Sequence, residues 1–162
     1  MTPDDVRFEM SDFRSISDLA KLDHPLVAKL LILKDRGCWH PPCSACRVTS
    51  KELKDRTKRF AVNVIELCRE LPPTLDGRRL GGQLIDSSTS VAANYRAACR
   101  GRSRAEFIAK LGTVLEESDE SLSWLELMVD AKLVPLVRAE RLLKEADELT
   151  AIFTAAVKTA KS

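Results

Sequence analysis

Histidine is almost missing from this chain. Two occur in 162 residues, His24 and His40, and both precede the long helical stretch that fills the rest of the sequence. A di-iron bundle needs inward glutamates combined with Glu-x-x-His pairs on facing helices, so ferritin-like oxidase chemistry is excluded. Aromatic residues make up 5% of the chain and glycines number six, too few for the many turns of an all-β fold. Long apolar runs are absent too. Leu30–Leu33 is the longest, whereas a membrane-spanning helix takes about 20 apolar residues, so no membrane role is expected. The N-terminus carries Asp4 and Asp5 where a secretion leader would be basic and then apolar. The five cysteines make an odd number. Together these point to a reducing, cytoplasmic setting with thiols free or metal-bound.

What is present is helical in composition. The apolar fraction is 44%, enough for a core, and Leu, Ala, Lys, Arg and Glu dominate. The net charge of +2 hides a gradient. Residues 51–112 carry thirteen basic against seven acidic side chains, and residues 113–162 carry six against ten. A basic half attracts nucleic-acid phosphates through counterion release. It can equally dock onto the acidic half, in the same chain or in a neighbouring subunit.

The chain changes character near Thr49. Residues 1–49 read as an irregular extension, with a short helix from Asp23 to Lys34 and a proline-containing loop over Cys38–Cys46. Residues 50–162 form the second unit. Phe60, Val64, Leu67 and Leu71 step 4,3,4 and predict a helix over Ser50–Leu71, ended by Pro72-Pro73. A second helix is predicted over Arg79–Arg100, its start weakened by Gly81-Gly82. Ser103 and Glu106 form a capping box. From there Ile108, Leu111, Leu115, Ser118, Leu122, Leu125 and Val129 step 3,4 as a heptad seam. Val134-Pro135 breaks the chain before a helix over Leu136–Thr159. Four amphipathic helices with short connections give an all-α, antiparallel up-down-up-down four-helix bundle.

Four constellations bear on function. Arg96, Arg100, Arg102 and Arg104, with Lys110 beyond, make a basic corner between helices two and three, suited to bidentate phosphate contacts. The competing reading is ion pairing to Glu116, Glu117, Asp119 and Glu120. Trp124, Leu127 and Met128 lie partly outside the Ile108–Val129 seam and are expected at an oligomer interface, with docking of the N-terminal segment as the competing reading. Cys38, His40, Cys43 and Cys46 offer four zinc ligands in nine residues. A compact knuckle usually has a longer spacer between its ligand pairs, and two prolines intervene here. Without that zinc no cofactor is expected. Cys68 and Cys99 read as small packing residues. Asn94 is expected to bond across helices and fix their register.

The run Ser87–Met128 resembles the signature of bacterial four-helix bundle proteins first noticed as products of intervening sequences in large-subunit rRNA. That family includes the accessory variability determinant of diversity-generating retroelements. The matching pieces are the serine-rich approach to Val91-Ala92-Ala93-Asn94, the Arg102-Ser103 corner, Glu106-Phe107, and the acidic segment before Trp124-Leu125. Lys54–Leu67 and Glu145–Lys158 also fit, so the resemblance covers about residues 50–161. It implies a four-helix bundle, commonly a ring of five subunits. For the retroelement branch it implies a basic surface binding RNA and a reverse transcriptase. It does not imply an enzyme. The reading is a non-enzymatic RNA- or protein-binding homo-oligomer. The alternatives are a protein-only adaptor and a zinc hydrolase built on the cysteine cluster.

Overall fold

The computed structural model describes residues 50–162, and all regular structure there is helical. The helices are α1 (Ser50–Arg69), α2 (Leu75–Ala98), α3 (Arg104–Asp130) and α4 (Leu136–Lys161). Each packs on its neighbours in the chain, and α1 also meets α4, more sparsely. The four therefore stand at the corners of a square, with α1 diagonal to α3. This is the expected antiparallel bundle. The short helix and cysteine loop read for residues 1–49 lie outside the described residues.

The start of α2 differs from the expectation. It begins at Leu75, where the Thr74 hydroxyl accepts from the Gly77 N–H at 3.2 Å and caps the first turn. Gly81 does not fray this helix, because α1 lies against it. A Cβ on Gly81 would come within 2.8 Å of Leu71 Cδ1. The glycine lets α2 approach the last turn of α1 closely, and that packing holds the first turns of α2.

The core phase of α3 is rotated by about one residue from the predicted seam. Leu111, Ser118 and Leu125 are buried as expected. Their partners across the stripe are Phe107, Val114, Ser121 and Met128, while Ile108, Leu115, Leu122 and Val129 are only half-buried. Both sets keep a heptad period, so spacing alone does not separate them. The neighbour decides: α2 offers small Ser87 and Ser88 at mid-height, and Ser121 turns to meet them.

Phe60, Val64, Leu84, Leu111, Leu125, Met128, Leu149 and Phe153 fill the core. Each contributes roughly 1.5–3 kcal/mol by leaving water. Tyr95 and Phe153 meet as a tilted pair with centroids 5.4 Å apart. At mid-height the core is polar and thin. Ser87 and Ser121 hydroxyls lie 2.9 Å apart between α2 and α3. The carbonyls of Leu84 and Glu117 complete that pair at 3.3 and 2.8 Å. Thr150 donates to Ser118 at 3.1 Å between α4 and α3. Every hydroxyl of this layer has a partner, so burying it carries no unsatisfied group.

The α3–α4 turn is a Schellman motif. Leu133 N–H donates to the Met128 carbonyl and Lys132 N–H to that of Val129, both at 2.9 Å. Lys132 takes the left-handed position usually given to glycine, with φ 58°.

Candidate nucleic-acid interface

Antiparallel packing gathers the start of α1, the end of α2, the start of α3 and the end of α4 at one pole. Two contacts fix this. Cys68 Sγ near the end of α1 lies 3.7 Å from the Gly81 carbonyl near the start of α2, so the other ends of these two antiparallel helices meet at this pole. Arg104 on α3 donates from Nε and Nη2 to the Ala160 carbonyl on α4, at 3.1 and 2.7 Å. The pole thereby collects Lys51, Lys54, Arg96, Arg100, Arg102, Lys158 and Lys161 against Glu52, Asp55 and Glu106. Two helix N-termini and two C-termini meet here, so their dipoles oppose one another and the positive field comes from the side chains.

The predicted corner residues divide among several jobs. Arg96 is exposed, on the side of α2 turned toward α1, and Arg100 is exposed in the turn that follows α2. That side is identified by Cys68, whose Sγ lies 3.7 Å from the Gly81 carbonyl, because Gly81, Ile85, Ala92, Arg96 and Cys99 share one helical stripe. Arg102 is 91% exposed, and only a long 3.4 Å contact joins its Nε to Glu106. Arg104 is a structural cap. Its fork satisfies an orphan carbonyl at the end of α4, so it does not belong to the free corner. Lys110 is half-buried on α3, further along the bundle than the Arg96–Arg100 stripe.

The capping box forms with one change. Glu106 N–H donates to Ser103 Oγ at 3.1 Å, but the Glu106 carboxylate accepts from the N–H of Arg102, at 2.9 Å, one residue before the cap. That backbone bond, and then the Arg102 guanidinium, hold the Glu106 carboxyl below its ordinary pKa. Lys51 and Lys54 were not among the predicted site residues. Their signal was available: antiparallel pairing of helices one and two sets the first turn of one beside the last turn of the other.

The remaining predictions are placed as follows. Met128 is fully buried in the core and presents nothing to a neighbour. Trp124 packs half-buried against the core, with its indole N–H screened from solvent and without a partner among the described residues. Leu127 is exposed, at 45%. Asn94 does not bridge helices; it donates to the Ser90 carbonyl of its own helix at 3.0 Å. Burial pushes the Cys68 thiol up to about 11, and burial also raises that of Cys99. The expected zinc ligands Cys38, His40, Cys43 and Cys46 lie outside the described residues. Among the described residues no cluster of His, Cys, Asp and Glu could hold a metal, and no helix is long and apolar enough to cross a membrane.

No curated protein matches this chain. A crystal structure from Bacteroides thetaiotaomicron VPI-5482, described as a protein with unknown function from the S23 ribosomal protein family, is similar over 67% of this chain and 97% of its own. The two share 28% sequence identity and superpose with a TM-score of 0.61. The family described as 23S rRNA-intervening sequence protein matches residues 50–155, which takes in α1, α2, α3 and most of α4. Bundle, capped corner and seam thus coincide with the matched region, and the chain belongs to the 23S rRNA-intervening sequence protein family.

Proposed function

We propose that this chain is a non-enzymatic, cytoplasmic, homo-oligomeric scaffold that binds RNA through its basic pole. The observation that carries this reading is the convergence of Lys51, Lys54, Arg96, Arg100 and Arg102 from three helix ends onto one pole, all of them exposed except the half-buried Lys54. Aromatic side chains are scarce there, so the surface suits phosphate and shape contacts rather than base stacking. The family's description names 23S rRNA, which makes RNA the polyanion to test first. The raised thiol pKa values and the placement of both histidines upstream of the bundle support a reading without catalysis. The ring of five subunits and a retroelement reverse transcriptase as protein partner come from the family resemblance. They are tested by the mass of the particle and by co-purification.

The test of RNA binding is a titration with a structured RNA at several salt concentrations. Four or five neutralised phosphates give a log–log slope of roughly −3 to −4. Arg96→Glu with Arg100→Glu should abolish binding, while Arg104→Lys should act on stability instead. No binding at low salt refutes the RNA reading. A second reading, a protein-only adaptor without a nucleic-acid role, is favoured by Glu116, Asp119, Glu120 and Glu126 of α3, which make no ion pair among the described residues. Under it the Arg96 and Arg100 reversals leave partner capture intact.

A further inference from the structure

Three sides of the bundle are closely packed and the fourth, between α1 and α4, stands open. A groove of about 990 Å³ runs along it, floored by Phe60, Leu67 and Leu142. Two ion-pair straps cross it. Arg56 binds Glu145 and Glu148 at one end, and Arg138 binds Glu70 at the other. Between the straps the walls carry Arg59, Arg141 and Lys144, none of which makes an ion pair among the described residues. Glu66 is the one lining carboxylate that belongs to neither strap. The open stretch is therefore positive and without an ion-pair partner among the described residues.

Diagonally across the bundle, α3 presents the complement. Glu116, Glu120, Ser123 and Leu127 are exposed and spaced 4,3,4, a straight outward ridge, and Asp119 and Glu126 flank it, also exposed. These carboxylates make no ion pair among the described residues. Glu117 beside them has its carboxyl pKa raised, first by burial and then by Glu120, Glu116 and Asp86. The ridge is a row of like charges that nothing among the described residues neutralises.

We propose that the α1–α4 groove seats the outer ridge of α3 from a second copy of this chain. The inference rests on the homo-oligomeric part of the function proposed above and assigns the two faces that meet. Charge favours it, and so does height along the bundle. At 1.5 Å per residue from the pole that holds the α3–α4 turn, Leu127 and Val137 lie within about 5 Å of that end. On the same scale Glu126 and Arg141 lie at about 6–8 Å, and Glu120, Lys144 and Arg59 at about 12–15 Å. A rotation about an axis parallel to the bundle therefore brings each cation level with a carboxylate. It also sets Val137, 77% exposed, level with Leu127. The pairing is heterologous, groove to ridge, so every copy keeps one face of each kind and the assembly closes as a ring when the rotation closes.

The experiment measures particle mass by light scattering and native mass spectrometry on the full chain. Helicity by circular dichroism serves as the folding control. Arg141→Glu with Lys144→Glu is expected to raise the subunit dissociation constant by about 100-fold or more, and Glu120→Lys with Glu126→Lys to do the same. All four changes in one chain exchange the two signs and should restore the wild-type mass. Neither pair touches the basic pole, so RNA affinity per subunit provides an independent readout. A monomeric wild-type chain overturns the homo-oligomeric reading and this pairing together. A wild-type oligomer that withstands both reversals overturns the pairing alone. So does dissociation by the reversals that the fourfold exchange fails to rescue.

Discussion

Replacing Arg56 by alanine should cost about 2 kcal/mol of stability, a figure lying between exposed pairs at about 0–1 and broken buried pairs at about 3–5. The side chain of Arg56 is 18% exposed and its partners Glu145 and Glu148 are 29% and 23% exposed, so screening by water is partial. Nε reaches Glu145 Oε1 at 2.6 Å, and Nη2 reaches Glu145 Oε2 at 2.9 Å and Glu148 Oε2 at 2.5 Å. Alanine removes that fork and the packing of the arginine stem. It also leaves two carboxylates one turn apart without a cation. Because α1 meets α4 more sparsely than the other neighbouring helices meet, little else compensates. Urea unfolding followed by circular dichroism, repeated at several protein concentrations, would show the midpoint falling by about 1 M at an m-value near 2 kcal/mol/M. Lysine at position 56 keeps the charge but not the fork and should recover about half of the loss. A cost for Arg56→Ala below about 0.5 kcal/mol, the level of an ordinary surface change, would refute the idea that this strap holds α1 against α4.

Lys132→Gly should stabilise the chain by about 0.5–1 kcal/mol, because glycine occupies the left-handed position without the steric cost lysine bears; an unchanged melting temperature would count against that reading. Cys68, its thiol pushed up to about 11, should react with iodoacetamide at pH 8 roughly a hundredfold slower in the folded chain than in urea, as peptide mapping by mass spectrometry would show. Glu106→Gln should lower the melting temperature at neutral pH. The Glu106 carboxyl is held below its ordinary 4.5, so its contribution is present above that pH and is lost as pH falls through the lower folded value. The two melting curves should therefore converge in acid, and a gap that persists there would show that the carboxylate charge is not what matters.

The four helices were legible because each carries a long apolar period and is bounded by Pro72-Pro73, by Ser103 or by Val134-Pro135, signals that do not depend on distant residues. The phase of α3 was less accessible. Two stripes one residue apart, through Ile108 and through Phe107, have the same period, and only the small side chains on α2 choose between them. The mistaken placement of Met128 on the surface follows from that choice. Gly81 looked like a helix breaker and proved to be a contact, since local propensity yields to packing once Leu71 lies 2.8 Å from where its Cβ would be. The basic corner was readable as composition. Its membership was not, because Arg104 and Ala160 are 56 residues apart in the chain, and because Lys54 joins only when α1 folds back along α2.

The hydroxyl layer at mid-height has a mechanical consequence for the two ends. Ser87, Ser118, Ser121 and Thr150 are small, so three stiff helices are cinched at their middles, each free end projecting like the arm of a pair of tongs. A pivot of that kind converts a change in its own thickness into a larger change at the tips. Exchanging Ser121 for leucine would spread the arms, and the spacing between Arg96 and Arg102 at one tip and between the start of α2 and the end of α3 at the other would widen together. Small residues at the middle of the bundle thus set the gauge of its charged ends.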